Sequence, residues 1–341
     1  MEKDNSGSFF NYLPEGCRLC CTGAKMVLFV TGLCGKNCFY CPVSNERRGK
    51  DITFANERIV KTDNDLIEET VSMDALGTGI TGGEPLLRLE RVIHYIKLLK
   101  KKFGNAHHIH LYTALSPNIG VLDSLRKAGL DEIRFHPPLD TWKNINHSYY
   151  RDSILAAHRT GLSTGIEIPS IASDFSGILS LLLEVDGFLN LNELEFSETN
   201  ASELKKRGFV LVDDASSAVL GSKEVAESIT GNKLRFCSSS FKDAVQMRER
   251  FKRIAKRNAR YFDEITDDGT LVYGVVKGKC LDILKEAGVM EEMYSVLPDS
   301  VETAAWIAED LADELKKAGC SVSIIERYPM KNGMVAEMTP L

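Results

Sequence analysis

FVTGLCGKNCFYCPVS, residues 29–44, puts three cysteines at spacings of four and three directly behind an apolar run, MVLFVT (26–31). The run has the length and composition of a buried strand, and the polar loop that follows carries Cys34, Cys38 and Cys41. From this strand to about residue 200, short apolar runs alternate with segments of helical period. The expected strands are 26–31, 77–81, 108–113, 131–136, 162–168 and 191–196, and the expected helices are 63–76, 88–103, 118–128, 149–160 and 174–185. Asp63 suits a helix start, and Gly77 and Gly129 suit helix stops. This alternation predicts βαβ units on a parallel sheet, either open and doubly wound or an incomplete (β/α)6 barrel. In both, chemistry gathers where strands end, and each unusual residue group lies just past one of these runs.

Three thiolates on one loop can hold three irons of a cubane and leave the fourth open to a ligand, unlike a four-cysteine electron carrier. A zinc knuckle would need a fourth ligand, which Cys17 or Cys20 could supply. Nine cysteines, six of them between positions 17 and 41, point to metal or redox chemistry before disulfides in a reducing compartment. The polar N-terminus carries no signal peptide pattern and no apolar run is long enough to span a bilayer, so a cytoplasmic protein without membrane contact is expected. A net charge of −6 argues against a protein devoted to coating nucleic acid.

CxxxCxxC with an aromatic before the third cysteine, followed by ITGGEP (80–85) at the end of the second strand, resembles the radical S-adenosylmethionine (SAM) superfamily. Within it, the two motifs are most similar to the pyruvate formate-lyase-activating-enzyme-like group. The resemblance covers roughly residues 26–200 and implies an α/β fold, a partial (β/α)6 radical SAM barrel. It implies a [4Fe–4S] cluster on Cys34, Cys38 and Cys41 that binds SAM and cleaves it reductively to a 5′-deoxyadenosyl radical, which abstracts hydrogen from a substrate. An electron donor such as ferredoxin or flavodoxin follows from the same chemistry. The resemblance further implies SAM contacts from Tyr40, beside the purine, from Gly82, Gly83 and Glu84 at the methionyl ammonium, and from Thr113, Arg134, His136 and Glu167 at later strand ends. For Arg134 a structural salt bridge is the competing reading. Glu195 and Ser197 are expected on one face of the sixth strand.

The remaining segments are read from their residues. Residues 1–25 form an N-terminal Cys-containing segment, 26–230 the barrel, and 231–341 a small C-terminal α+β domain. Its signals are an amphipathic helix at 242–262, an Asp-Gly hairpin at 265–276, a helix at 301–318 and two further strands. Cys17, Cys20 and Cys237, with Cys21, could form a second iron–sulfur or zinc site, or be unrelated buried thiols; Cys280 and Cys320 are expected to be packing residues. Residues 242–260 carry eight basic against two acidic side chains, so Arg250, Arg253, Lys256 and Arg257 could hold phosphate or RNA, or form a solvated face. Three functions stay open: a radical SAM enzyme acting on a small molecule or activating a partner enzyme, a radical SAM enzyme modifying tRNA, and a non-catalytic zinc or iron–sulfur interaction module.

Overall fold

A computed structural model describes residues 1–330 and 333–341; the side chain of Asp243 lies outside the described residues. The chain divides into two compact units, residues 1–71 with 75–246, and 72–74 with 247–341.

In the first unit a short helix α1 (Glu15–Cys21) precedes β1 (Lys25–Phe29), and five more strands follow: β2 (Gly77–Thr81), β3 (His108–Thr113), β4 (Glu132–Phe135), β5 (Ser163–Pro169) and β6 (Phe188–Asn192). They pair in sequence order, every pair parallel. The helices α2 (Asp63–Ser72), α3 (Leu89–Phe103), α4 (Ile119–Ala128), α5 (Tyr149–Arg159) and α6 (Ser176–Glu184) fill the crossovers. Local chemistry fixes their ends. Asn118 and Ser148 cap α4 and α5 by accepting backbone N–H bonds, and Gly129 closes α4 in the left-handed region at φ 113°. Short antiparallel strands occupy both edges, Phe54–Ala55 on β1 and Phe9–Phe10 beyond the last parallel strand, so the sheet curves as a partial barrel without closing.

Register sorts the side chains into two faces. Leu28, Ile80, Leu111 and Ile133 stand in one row, and Phe135, Ile166, Leu189 and Leu234 in another, all buried under the helices. The inner rows are polar: Gly79–His110–Glu132, then Tyr112–Arg134–Gly165–Phe188, then Glu167–Asn190–Arg235. Helix α1 packs on this inner face. A Cβ on Gly16 would strike His110 and Arg134, and one on Gly77 would lie 2.5 Å from Leu19 Cδ1.

Three elements differ from the sequence expectation. The sixth strand is 188–192 rather than 191–196; Leu194–Phe196 instead begins a separate antiparallel pairing, with Glu195 opposite Ala218. A seventh parallel strand, β7 (Leu234–Cys237), lies beyond β6 and carries the first unit past residue 230. Residues 1–25 are part of that unit, since Phe9–Phe10 pairs with β7.

In the second unit a π-helical turn (Phe241–Met247), which begins in the first, leads into α7 (Arg248–Asn258), shorter than the helix expected at 242–262. The predicted hairpin forms: Glu264–Ile265 pairs with β8 (Leu271–Lys277) around Gly269, at φ 82°. β8 sits between β9 (Val301–Thr303) and β10 (Ser321–Arg327), and β11 (Val335–Pro340) flanks β10. The helix expected at 301–318 thus starts as a strand and becomes two short helices, Ala305–Asp310 and Ala312–Lys317. Cys280 and Cys320 are buried in this unit's apolar core. Among the described residues no helix is long and apolar enough to cross a membrane.

Candidate functional site

The cysteine loop is built from backbone hydrogen bonds to neighbouring strand ends. Val30 N–H donates to Thr81 O at 2.8 Å, Gly83 N–H to Thr31 O at 2.7 Å, and Glu84 N–H to Leu33 O at 2.8 Å. The loop also closes on itself, with Gly32 N–H on Lys50 O and Gly49 N–H on Gly32 O, both at 2.8 Å. From the far side Thr199 Oγ1 donates to Cys41 O and Asn200 Nδ2 to Tyr40 O, each at 3.1 Å. Three strand ends thus hold one loop. All nine cysteines are free thiols; Cys34 is exposed, and Cys38 and Cys41 are half-buried. Burial raises the Cys38 thiol. Lys36 N–H points at Cys34 Sγ at 3.4 Å, the kind of donor that stabilises a thiolate. Three sulfur donors without oxygen or imidazole competitors fit an iron–sulfur cluster by ligand softness.

Gly82 and Gly83 have a reason to be glycine that the sequence did not reveal. A Cβ on Gly82 would lie 2.6 Å from Thr31 O, and one on Gly83 would lie 2.5 Å from Leu33 O. The GGEP turn needs glycines to lie against the cysteine loop itself. Glu84 is buried and fully engaged: Oε1 accepts from Thr113 Oγ1 at 2.8 Å and Leu86 N–H at 3.0 Å, and Oε2 from Ala114 N–H at 2.7 Å. Burial still raises its carboxyl against these donors. Thr113 and Glu84 therefore act on each other and pin the turn to the end of β3.

Tyr40 packs at the end of the cysteine loop. Its ring is buried among Ile171, Leu194, Leu204 and Val219, because an aromatic flanked by apolar strand-end residues packs inward. Its hydroxyl meets His136 Nε2 at 2.9 Å, and His136 Nδ1 lies 2.7 Å from Glu167 O. A carbonyl can only accept, so Nδ1 carries the proton and Nε2 accepts from Tyr40. Burial holds the imidazole neutral, with its pKa lowered.

Arg134 resolves as the structural ion pair. It is fully buried, bonded to Glu132, to Glu167 Oε2 at 2.7 Å and to Tyr112 Oη at 3.1 Å, and α1 lies over it. Two carboxylates share one guanidinium, whose Nη2 makes no hydrogen bond among the described residues and lies beneath Gly16 of α1. Glu167 also accepts from Asn190 and Asn192 at 2.9 Å each. Burial opposes its ionisation, but Arg134 and the two amides prevail and hold the carboxyl down at about 2. His110, within 3.5 Å of Lys25 Nζ, is kept neutral by complete burial, its pKa well below the ordinary value.

The fold brings the other four thiols together around a cation. Cys17 Sγ accepts from Asn190 Nδ2 at 3.3 Å, and Cys20, Cys237 and Phe241 share one apolar cluster with Cys21 alongside. Arg235 Nη2 lies 3.6 Å from Cys237 Sγ, and its charge is felt by all four thiols. Burial pushes the Cys237 thiol up to about 11, against the pull of Arg235. Among the described residues no three of His, Cys, Asp or Glu are grouped as ligands of one metal ion. The same holds at Cys34, Cys38 and Cys41, and the four thiols here face a buried guanidinium.

The basic segment is largely neutralised within its own unit. Arg253 pairs with Asp74 Oδ2 at 2.6 Å, Lys252 with Glu249 at 3.2 Å, and Arg260 with Asp263 at 2.7 Å and with Glu302. Arg250 lies over the Phe251 ring, and Lys256 and Arg257 are exposed at the end of α7. In the first unit Lys242 pairs with Glu195.

The pattern of the Radical SAM superfamily matches residues 28–171. A protein of Methanocaldococcus jannaschii named "Putative glycyl-radical enzyme activating enzyme" is 39% identical over 356 residues, spanning 97% of this chain and 94% of its own length. The chain belongs to the radical SAM superfamily. As a radical SAM enzyme it uses a [4Fe–4S] cluster and SAM, and its catalysis begins with SAM cleavage. Residues 269–341 match a domain of unknown function (DUF8061). A crystal structure of methylornithine synthase aligns at a TM-score of 0.39 and 14% identity over 57% of this chain and 58% of that one.

Two residues outside the expected motifs matter to this loop. Asn200 and Thr199 tie the cysteine loop to the segment after β6, and Asn200 also donates to Glu195 O at 2.9 Å. Their only signal in the sequence is a run of small polar residues, SETN (197–200), behind a strand.

Proposed function

We propose that Cys34, Cys38 and Cys41 ligate the cluster, and that the enzyme removes a hydrogen atom from a glycine of a partner enzyme, the activity in the relative's name. When bound and reduced, the cluster with SAM supplies the electron and the radical chemistry. The chain's residues do the rest by placement. Gly83 and Glu84 N–H groups dock the GGEP turn on the cysteine loop, so any ligand of one is fixed relative to the other. The Tyr40–His136–Glu167 backbone chain presents a neutral imidazole without a titrating charge beside the loop. That hydrogen-bonded junction of cysteine loop, GGEP turn and Thr199–Asn200 is the observation that carries the reading.

A polypeptide substrate is favoured because α1 covers His110 and Arg134 on the inner face, so a substrate is met at the strand-end rim. RNA is disfavoured by the local pairing of Arg253, Lys252 and Arg260. The reading also includes a cytoplasmic location and a protein electron donor of the ferredoxin or flavodoxin kind. Anaerobic reconstitution followed by dithionite reduction tests it: SAM must yield 5′-deoxyadenosine and methionine. Protein with full iron content that yields neither would sink the proposal.

A further inference from the structure

Just after β6 the chain builds a small antiparallel sheet. Its inner strand is Leu194–Phe196, its middle strand Ser217–Leu220 and its outer strand Val210–Val212. Val219 N–H donates to Leu194 O and Phe196 N–H to Ser217 O, both at 2.8 Å. Val212 N–H donates to Ala218 O at 2.9 Å, and Leu220 N–H to Val210 O at 3.0 Å. These bonds flank the Leu211↔Val219 bridge without using Leu211's own groups. In such a non-hydrogen-bonded pair, the N–H and C=O of Leu211 point away from the sheet, to the open edge.

That edge is apolar where it is exposed. Val210 is 56% exposed, Leu211 39%, Val212 49% and Leu220 57%. An exposed edge with apolar side chains is a template for another strand, and edges are ordinarily blunted by charge or proline. Here charge appears only at the tip, where Asp213 and Asp214 are exposed. The same sheet adjoins the cysteine loop: Phe209 stacks on Phe39 at 6.1 Å and 14°, and Leu194 and Val219 pack with Tyr40.

We infer that the outer edge of Val210–Val212 is the docking strand for the polypeptide substrate, which joins this sheet as a fourth extended strand beside the cysteine loop. The inference rests on the polypeptide-substrate reading above. Main-chain bonds to Leu211 supply register, and the apolar side chains along the edge favour a β-prone segment. Asp213 and Asp214 at the tip select a segment whose matching end carries Lys or Arg.

Two fluorescent probe peptides test this, one with two lysines at the end of a Val-Thr-Val-Gly-Val-Thr segment and one with two glutamates there. The basic probe is expected to bind at least about tenfold more tightly than the acidic one, and to slow hydrogen exchange at the Leu211 amide. Leu211→Pro, which removes the outward N–H and no hydrogen bond within the sheet, is expected to weaken binding at least about tenfold, and D213N with D214N to abolish the preference. If the proline disturbs the hairpin, V210S with V212S keeps the backbone and is expected to weaken the same binding. Absence of binding by either probe, protection confined to another segment, or unaltered binding by Leu211→Pro would overturn the inference. So would concentration-dependent dimerisation lost in Leu211→Pro, which would give the edge to a second copy of the chain. Formation of 5′-deoxyadenosine without peptide is expected to be unchanged in these variants. Its absence from the unaltered protein would instead refute the radical SAM reading of the site, leaving the peptide result readable by itself.

Discussion

Replacing Gly83 with alanine puts a methyl group where backbone already stands. A Cβ there would lie 2.5 Å from the Leu33 carbonyl oxygen and 2.8 Å from that of Gly32. Neither oxygen belongs to a side chain that can swing away, and the Leu33 oxygen already accepts from Glu84 N–H at 2.8 Å. Relief requires the GGEP turn and the cysteine loop to separate, at the expense of that bond and of Gly83 N–H to Thr31 O. Two hydrogen bonds at about 1 kcal/mol each, with an overpacking term of about 1–3 kcal/mol, give a total of about 3–5 kcal/mol. A fold with a typical stability of about 5–15 kcal/mol survives this, but its cysteine loop does not stay in place. Gly35→Ala is the matched control inside the same loop, since nothing lies within 4 Å of its Cβ position. Reconstituted anaerobically side by side, Gly83→Ala is expected to lose at least about tenfold in iron retention or 5′-deoxyadenosine yield, while Gly35→Ala stays near the unaltered protein. Equal iron and equal yield in Gly83→Ala, or equal damage in Gly35→Ala, would refute the reasoning.

Other perturbations follow from the same contacts. Glu84→Gln exchanges one carboxylate oxygen for an amide, so either Ala114 N–H or Leu86 N–H loses its acceptor, at a cost of about 1–3 kcal/mol in urea unfolding; an unchanged midpoint would count against the latch. Arg134→Met strands Glu132 and Glu167 on the inner face and is expected to cost about 3–5 kcal/mol, part of which returns when Glu132→Gln is added; a harmless single variant would contradict the ion-pair assignment. Buried His107, bonded to Thr78 Oγ1 at 2.8 Å, has its pKa lowered to about 4, chiefly by burial and then by Lys100. Its folded pKa lies below the unfolded value of about 6.5, so its contribution is complete above about pH 6.5 and is lost as pH falls towards 4, worth about 3 kcal/mol. His107→Gln should flatten unfolding free energy across that interval, and an unaltered slope would exclude His107 as its source.

The first five central strands were legible because each carries an apolar row at period two that the helices cover. β7 was not, because two of its four residues, Arg235 and Cys237, face the polar inner side and leave too short an apolar signal. Val210–Val212 was hidden in the same way, its strand character set by pairing with Ser217–Leu220 rather than by its own length. The cysteine spacing and GGEP gave the family, but spacing cannot say which way a side chain packs. Tyr40 turned inward to His136, and Arg134 turned to two carboxylates under α1, a helix that only tertiary structure puts on the inner face. Gly82 and Gly83 were singled out for closeness to a ligand, and only the fold shows that their Cβ positions are also blocked by Thr31 and Leu33. Cys17, Cys20, Cys21 and Cys237 come together in space, and the cation among them, Arg235, had no signature beyond its place two residues before Cys237.

The central claim is that Cys34, Cys38 and Cys41 hold the cluster that cleaves SAM. The most direct measurement counts iron and 5′-deoxyadenosine in the anaerobic unaltered protein, in C34A/C38A/C41A and in C17A/C20A/C237A. The account predicts about four irons per chain in the unaltered protein, with both iron and 5′-deoxyadenosine lost in the first variant. Iron is expected to persist in the second. Full iron and undiminished 5′-deoxyadenosine in C34A/C38A/C41A, with loss of both in C17A/C20A/C237A, would contradict the account and move the radical chemistry to the other thiols.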